Sequence, residues 1–315
     1  MKTLRIIIKE KIFDLREERD KEKKSFWCTE SEMNQLEIFY RFKGIKPSNP
    51  MTPETQFGLN IRKKVEDVIL DYIEDVLVKP KPYKDSEGVL IEEPEQHRVE
   101  MERLGVRITG YMDAIVKEKV FADIPNGGGT EHEIQVPVEI KTSYGPFAQK
   151  ELIAGQPKLP YLKQLAQYMD YMNVNKGYLL QLHFSNNGFI PEDFYQFVLI
   201  RNGNKFKCGY IEFDLVEDVY KRYQRIWNDY IVPNKEPESE FKYKYPLEGI
   251  NWRQTPVAQI RNARNNNAVI GDWQIKYSDW KDIIIKKEGS ELGYSDQEIN
   301  YIKEQTKGYT TWPKY

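Results

Sequence analysis

The spacing of apolar residues changes repeatedly between residues 54 and 231, and this change is the strongest constraint on the fold. Steps of three and four are typical of a helix, whereas steps of two are typical of a strand. The order of patterns favours an α/β protein with a central mixed sheet flanked by helices. The predicted elements are helix 54–77, strands 97–104, 106–116 and 134–142, helix 160–174, strands 177–184 and 193–200, and helix 215–231.

A helix start signal lies near the N-terminus. Thr29 is followed three residues later by Glu32, which is the spacing of a capping box. We therefore predict a helix that begins at Thr29 and ends near Gly44. A short apolar run at 4–8 predicts a strand before it.

The segments around the central region divide the chain into three parts. Residues 46–54 (KPSNPMTPE) read as a linker, and a charged connector follows the last predicted helix. We predict an N-terminal strand and helical segment at 1–50 and a core at 51–235. The remainder, 246–315, contains one helix-like run at 294–305 and is predicted to be a small C-terminal appendage.

Charge and cysteine content limit the partners and cofactors. The formal net charge is -2, so any contact with nucleic acid must be local. Cys28 and Cys208 are the only cysteines, which excludes a disulfide framework and a four-cysteine metal or iron–sulfur site. No stretch approaches the ~18 apolar residues of a membrane span. We therefore expect a cytoplasmic protein that does not contact a membrane.

Two acidic residues and a lysine occur on consecutive predicted strands. Asp113 lies towards the end of strand 106–116, where an acidic residue is disfavoured, although it could cap a turn. In VEIK (138–141), alternation places Glu139 and Lys141 on one face while the residues beside them point into the core. An exposed pair of charges is the alternative interpretation of this second motif.

These side chains suit metal-assisted chemistry if the two strands are neighbours. The carboxylates of Asp113 and Glu139, with the carbonyl oxygen of Ile140, form the hard oxygen set that Mg²⁺ or Mn²⁺ prefers. Such an ion lowers the pKa of a bound water and neutralises charge that develops on a phosphate. The Lys141 ammonium can orient the attacking water and stabilise the pentacovalent centre.

A third pair of polar residues lies on helix 160–174. Gln164 and Tyr168 are four residues apart, which places them on one helix face. Side chains of this kind, turned towards the strands, can hold a DNA phosphate or fix a catalytic side chain. A surface amide and a partly buried core aromatic are the alternatives.

Three motifs together resemble a known enzyme family. The sequences GYMD (110–113), VEIK (138–141) and QLAQY (164–168) occur in the order of the PD-(D/E)XK nuclease superfamily, specifically its RecB-like branch. Members of that branch carry GxxD, (D/E)xK and QxxxY motifs. The resemblance covers about 50–235 as architecture and implies a restriction-endonuclease-like core.

The resemblance also implies roles for individual residues. It implies that Asp113 and Glu139 are metal ligands and that Lys141 is the catalytic lysine. Gln164 and Tyr168 would contact DNA or support the site. The superfamily also carries an acidic residue or a histidine on its first core helix. Glu66 occupies that place here, with a solvated glutamate as the alternative.

Two departures from the RecB-like pattern are visible. Arg62 stands about where a histidine is expected on the first core helix. Residues 27–44 resemble the N-terminal helix of CRISPR-associated and phage nucleases of this branch, in which cysteines hold an iron–sulfur cluster. Only Cys28 lies in that segment, so we expect no cluster.

The function implied by the resemblance is Mg²⁺-dependent cleavage of DNA by an exonuclease or DNA-end-processing enzyme of recombination or repair. Thr142, Ser143 and Lys163 are candidate contacts to DNA phosphates. A structure-specific or restriction-like endonuclease and a nuclease-derived DNA-binding module that does not cut are the alternatives. Candidate protein partners are a helicase or recombination protein and further copies of the chain in a homo-oligomer.

Overall fold

The computed structural model describes most of the chain. The described residues are 23–48, 53–85, 88–124, 128–184, 193–240 and 278–291, with 293, 295–297, 299–300 and 303. The predicted strand at 4–8 and much of the helix-like run at 294–305 lie outside the described residues.

The described part of the chain forms eleven strands and six α-helices, which occur in runs of several strands or helices. The strands are β1 (Phe26–Trp27), β2 (Tyr83–Lys84), β3 (Leu90–Ile91), β4 (His97–Arg103), β5 (Val106–Met112), β6 (Ala114–Ile124), β7 (Gly128–Tyr144), β8 (Lys176–Phe184), β9 (Asp193–Asn202), β10 (Lys205–Cys208) and β11 (Ile211–Asp214). The α-helices are α1 (Gln35–Phe42), α2 (Pro53–Tyr72), α3 (Gly145–Ile153), α4 (Leu159–Met172), α5 (Lys221–Ile226) and α6 (Lys281–Glu291). Shorter helical turns are Cys28–Glu30, Glu74–Val76, Val216–Tyr220 and Trp227–Ile231.

The main sheet is mixed. It contains six strands in the order β11-β10-β9-β8-β7-β6. β7 and β8 run parallel, whereas the other neighbouring strands run antiparallel. Helices α3 and α4 connect β7 to β8, because two parallel neighbours need a crossover connection. The predicted α/β class with a mixed central sheet is therefore confirmed.

Helices cover both faces of the main sheet. Val138 and Ile140 of β7 belong to a buried cluster against which Val65 of α2 packs. The other face is covered by α4, since a Cβ added to Gly177 of β8 would lie 2.8 Å from the sulfur of Met169. Alternation along β7 therefore directs Glu139 and Lys141 to the face that α4 covers.

The chain changes sheets at Asp113. β5 ends at Met112 in a second sheet, of order β1-β5-β4, and β6 begins at Ala114 in the main sheet. The prediction of one continuous strand at 106–116 is therefore wrong. The apolar alternation continues through the change of sheet, so the sequence pattern contains no sign of the break.

The predicted start of the first helix is also wrong. α1 begins at Gln35, and the side chain of Asn34 caps it by accepting a 3.1 Å hydrogen bond from a backbone N–H of the first turn. Thr29 instead lies in the turn Cys28–Glu30. The Glu30 carboxylate closes that turn by accepting a 2.9 Å hydrogen bond from the backbone N–H of Trp27.

The long helix α2 is shorter and less buried than its sequence pattern predicts. It ends at Tyr72, and both Val68 and Tyr72 are exposed, although they belong to the predicted apolar face. Val65 and Ile69 pack against the sheet as expected. Within the described residues, no helix combines the length and apolar character that a membrane crossing requires.

The chain divides into two compact units. One comprises 24–32 and 62–232, and contains the main sheet and all the candidate site residues; the other comprises 1–23, 33–61 and 233–315. In the second unit, the indole N–H of Trp280 donates a 3.0 Å hydrogen bond to the carbonyl oxygen of Ile45. Segments from the predicted parts 1–50 and 246–315 thus belong to one unit.

Candidate active site

The carboxylate of Asp113 is held at the junction of the two sheets. Its Oδ1 accepts a 2.7 Å hydrogen bond from the side-chain amide of Gln96, and its Oδ2 accepts a 2.8 Å hydrogen bond from the backbone N–H of Ile140. The β4–β5 hairpin explains the first contact. Because His97 pairs with Met112, the residue before β4 comes to lie opposite the residue after β5.

Glu139 lies on β7 beside this junction and is fully buried. Its Oε1 accepts a hydrogen bond from the ammonium of Lys141, and its Oε2 has no hydrogen-bond partner. Burial raises the pKa of Glu139 to about 8; the nearby Asp113 carboxylate adds to the increase and Lys141 opposes it. The alternative of an exposed pair of charges does not fit these observations.

Lys141 is the cation of the cluster. Its side chain is 25% exposed, and its ammonium lies 5.7 Å from the centre of the Tyr161 ring. Burial alone would lower the pKa of Lys141, but the carboxylates of Glu139 and Asp113 outweigh burial and hold the pKa above its ordinary value. The lysine is therefore positively charged at neutral pH.

Glu66 of α2 is close enough to join this electrostatic cluster. Burial, together with the Asp113 carboxylate, raises the pKa of Glu66 to about 7, and Lys141 opposes the increase. The half-buried glutamate is therefore not simply a solvated residue of a helix surface. The side chain of Arg62, where a histidine was expected, lies outside the described residues.

Asp113 completes a group of three carboxyl groups whose ionised forms repel one another. Burial raises the pKa of Asp113, although Lys141 and the hydrogen bonds from Ile140 and Gln96 oppose the increase. All three carboxyl groups therefore hold protons more tightly than they would in water. A divalent cation would relieve this repulsion, because it favours the ionised forms.

The backbone of Ile140 adds an oxygen atom on the same side of β7. Within a strand, the N–H and C=O groups of one residue point the same way. Because the N–H of Ile140 points to Asp113, its carbonyl oxygen also faces the side of β7 on which β6 lies. The role of Ile140 as a backbone ligand stays a prediction.

The residues present fit a Mg²⁺ ion. Within the described part of the chain, no three side chains of His, Cys, Asp or Glu converge as a ligand set. Mg²⁺ does not need such a set, because it binds through one or two carboxylates and keeps several waters. The buried Oε2 of Glu139 supports a cation here, since an unsatisfied buried carboxylate oxygen is unfavourable. Asp113, Glu139 and the Ile140 carbonyl would hold the ion.

The polar pair on α4 supports the site from behind. Tyr168 is buried; it donates a 2.8 Å hydrogen bond to the carbonyl oxygen of Tyr111, and its hydroxyl oxygen accepts one of 2.8 Å from the Gln164 amide. Tyr111 lies two residues before Asp113. Two roles were predicted for this pair, contact with a DNA phosphate and support of a catalytic side chain. Because the Tyr168 hydroxyl is buried, it can support the site but cannot reach DNA.

The same contact explains the glycine of GYMD. A Cβ added to Gly110 would lie 2.9 Å from the Sγ atom of Cys28 and 3.2 Å from Cε1 of Tyr168. Only a residue without a side chain lets the tyrosine ring approach β5 this closely. The three sequence motifs therefore lie close together: the Tyr168 ring packs over Gly110, its hydroxyl donates to Tyr111 two residues before Asp113, and Asp113 accepts from Ile140.

The candidate DNA contacts have different environments. Lys163 is only 6% exposed, and its ammonium donates a hydrogen bond to the Glu32 carboxylate. It is therefore not placed to contact DNA, contrary to the prediction, because its position on α4 turns it inwards. Thr142 and Ser143 are half-buried, and the Ser143 hydroxyl lies 3.2 Å from Nδ1 of His183. Their contact with a phosphate stays a prediction.

Two glutamines near the cluster were not identified from the sequence. Gln96 holds Asp113, and Gln181 is the neighbour of Lys141 on β8. The first follows from the β4–β5 pairing, which two adjacent strand patterns could have indicated. The second depends on the register of two parallel strands separated by two helices, which no local pattern contains.

No family model matches the sequence, and no curated protein matches it. The chain is similar to a solved structure described as "Crystal structure of SSO0001", with a TM-score of 0.39, 14% sequence identity, and coverage of 71% of this chain and 85% of that chain.

Proposed function

We propose that this protein is a Mg²⁺-dependent nuclease that hydrolyses DNA phosphodiester bonds, built on a restriction-endonuclease-like core. The main support is that Asp113, Glu139 and Lys141 meet where β6 begins beside β7, and that the buried Glu139 keeps one oxygen atom without a partner. The resemblance of the three motifs to RecB-like nucleases gives the substrate, because the superfamily acts on DNA.

The bound ion would supply an activated water and neutralise charge on the phosphate. The residues of the chain provide its position and the remaining charge. Gln96 and the N–H of Ile140 fix the Asp113 carboxylate, so that little reorganisation is needed when the ion binds. The Lys141 ammonium, partly exposed, can orient the attacking water and stabilise the negative charge that develops on the phosphate.

Cleavage by a lysine variant tests this proposal. We expect Lys141→Met to lower the rate of Mg²⁺-dependent cleavage of end-labelled linear DNA by about a hundredfold or more, as for the loss of one transition-state donor. Lys150→Met is the matched control, since Lys150 is exposed on α3 and lies outside the carboxylate cluster. Equal rates for the parent and Lys141→Met would place the chemistry elsewhere.

A comparison of linear with circular DNA tests whether the parent protein needs a free DNA end for cleavage. We propose an exonuclease or end-processing enzyme, which predicts that covalently closed circular DNA survives while linear DNA of the same sequence is degraded. Digestion of the circle would instead indicate an endonuclease on the same core. Binding of DNA without cleavage of either substrate would indicate a module that does not cut.

A further inference from the structure

Gln181 carries a buried acceptor that the proposed chemistry does not use. Its side chain lies on β8, is 2% exposed, and its Oε1 has no hydrogen-bond partner. An unsatisfied buried amide oxygen is unfavourable by about 1–3 kcal/mol, so such an atom needs a physical explanation.

The register of the main sheet places Gln181 beside the catalytic cluster. Gln181 pairs with Lys141 across the parallel strands β7 and β8. Paired residues point to the same face, and neighbouring strands lie ~4.8 Å apart. Glu139, two residues before the lysine on β7, shares that face. Lys141 is therefore flanked by two buried acceptors, a carboxyl group and an amide.

Without a cation, the side chains of Glu139 and Gln181 differ in their hydrogen bonds to Lys141. The Lys141 ammonium donates to Oε1 of Glu139, while Oε2 of Glu139 and Oε1 of Gln181 have no partner. A cation that binds the Glu139 carboxylate competes with Lys141 for it. The lysine then loses the acceptor of its hydrogen bond, and the unpaired amide oxygen of Gln181 lies on the same face of the sheet.

We propose that Gln181 is a positioning residue that accepts a hydrogen bond from the Lys141 ammonium when Glu139 turns to a bound cation. This inference rests on the proposed function, because it assumes that Glu139 is a metal ligand. A neutral amide suits this role, because it satisfies the ammonium without binding it as strongly as a carboxylate would. It leaves Lys141 charged and directed towards the phosphate.

The inference predicts a coupling between Gln181 and Lys141 in Mg²⁺ binding. Gln181→Met keeps the shape of the side chain and removes the acceptor. Lys141 should then hold Glu139 more firmly, and Mg²⁺ affinity measured by calorimetric titration should fall about tenfold. In a Lys141→Met background no lysine competes for Glu139, so adding Gln181→Met should leave Mg²⁺ affinity unchanged.

If Gln181 only stabilised the fold, Gln181→Met would lower the melting temperature of the metal-free protein. We instead expect this variant to melt at or above the temperature of the parent, because it loses an unsatisfied buried oxygen. Gln181→Leu provides a second variant if the methionine variant does not fold. Unchanged Mg²⁺ affinity in Gln181→Met, or an equal loss in both backgrounds, would overturn the inference.

The same titrations separate this inference from the proposed function. If the parent binds Mg²⁺ with the predicted coupling but cleaves no DNA, the nuclease proposal fails and the role of Gln181 stands. If the parent binds Mg²⁺ and cleaves DNA but shows no coupling, only the role of Gln181 fails. If the parent binds no Mg²⁺, both fail.

Discussion

The Glu139 carboxylate is fully buried, and yet a carboxylate must be ionised to bind a cation. Burial and the nearby Asp113 carboxylate favour the protonated form of Glu139, while Lys141 favours the ionised form. The lysine alone does not offset the other two effects, since the pKa of Glu139 remains raised to about 8. A buried carboxyl group with a raised pKa lowers the stability of the folded protein at neutral pH. A bound cation would favour its ionised form and offset this cost.

This conflict predicts that Glu139→Gln stabilises the metal-free protein at pH 8. The pKa of Glu139 is about 8 in the folded protein against an ordinary value of 4.5, so the folded state binds the proton more tightly. The stability of the parent therefore falls as the pH rises from 4.5 through 8, whereas glutamine has no charge to acquire. From pH 5 to pH 8, the free energy of unfolding of the variant should therefore increase relative to that of the parent by about 3 kcal/mol.

Denaturant unfolding in the presence of EDTA at both pH values measures this gain. Glu133→Gln, which removes an exposed carboxyl group from the same strand, serves as the control. A difference between Glu139→Gln and the parent that is the same at pH 5 and pH 8 would contradict the assignment of a raised pKa.

Gly110 offers a second test at the level of a single residue. We expect Gly110→Ala to lower the free energy of unfolding by about 1–3 kcal/mol, because the new methyl group would overlap the Cys28 sulfur and crowd the Tyr168 ring. Thermal melting measures the loss. In a Cys28→Ala background the same substitution should cost less, since the nearest atom is gone. An equal cost in both backgrounds would show that the sulfur contact is unimportant.

Helix α4 is the element that joins the three motifs. Its residues cover the face of the main sheet on which Glu139 lies, and the Tyr168 hydroxyl ties the helix to the end of β5. The position of Asp113 thus depends on a helix more than 40 residues further along the chain. Support of this kind holds a carboxylate in place before any ligand binds.

The role of α4 predicts that Tyr168→Phe lowers both stability and activity. Loss of the hydrogen bonds to Tyr111 and from Gln164 should reduce the free energy of unfolding by about 1–2 kcal/mol. Cleavage should fall further than melting alone explains, because Asp113 loses its support. Tyr171→Phe is the matched control, since Tyr171 is an exposed tyrosine of the same helix. Full activity in Tyr168→Phe would remove the link between α4 and Asp113.

Periodicity was sufficient to predict most of the elements but not the places where the chain departs from a regular pattern. The α/β class and helix 160–174 follow from repeated local spacing, and the structure confirms them. The break at Asp113 was missed because alternation does not reveal which sheet a strand joins. The start of α1 was missed because Glu30 forms a local turn that competes with the predicted cap.

Within the candidate site, the sequence predicts the relative positions only of residues that lie on the same strand or helix. The common face of Glu139 and Lys141 follows from their spacing on one strand. The inward position of Lys163 depends on Glu32, 131 residues away, and the positions of Gln96 and Gln181 depend on strand pairing. Contacts between distant segments are set by tertiary packing, which a single sequence does not contain.

In the molecule as a whole, the cluster brings three acidic residues and one lysine together in a chain whose formal net charge is -2. All of its members belong to the compact unit 24–32 and 62–232. Glu66 and Glu139, with pKa values raised to about 7 and about 8, hold protons over part of the neutral range, and burial also raises the pKa of Asp113. A cation that binds here must displace some of these protons, so its affinity should increase with pH.

Calorimetric titration of Mg²⁺ at pH 7, in two buffers that differ in ionisation enthalpy, tests this account most directly. The parent should bind Mg²⁺ and release protons as it does so, and Glu139→Gln should bind at least about tenfold more weakly with a smaller release. Equal affinity in the parent and Glu139→Gln, or binding without proton release, would contradict the claim that these buried carboxyl groups form a cation site.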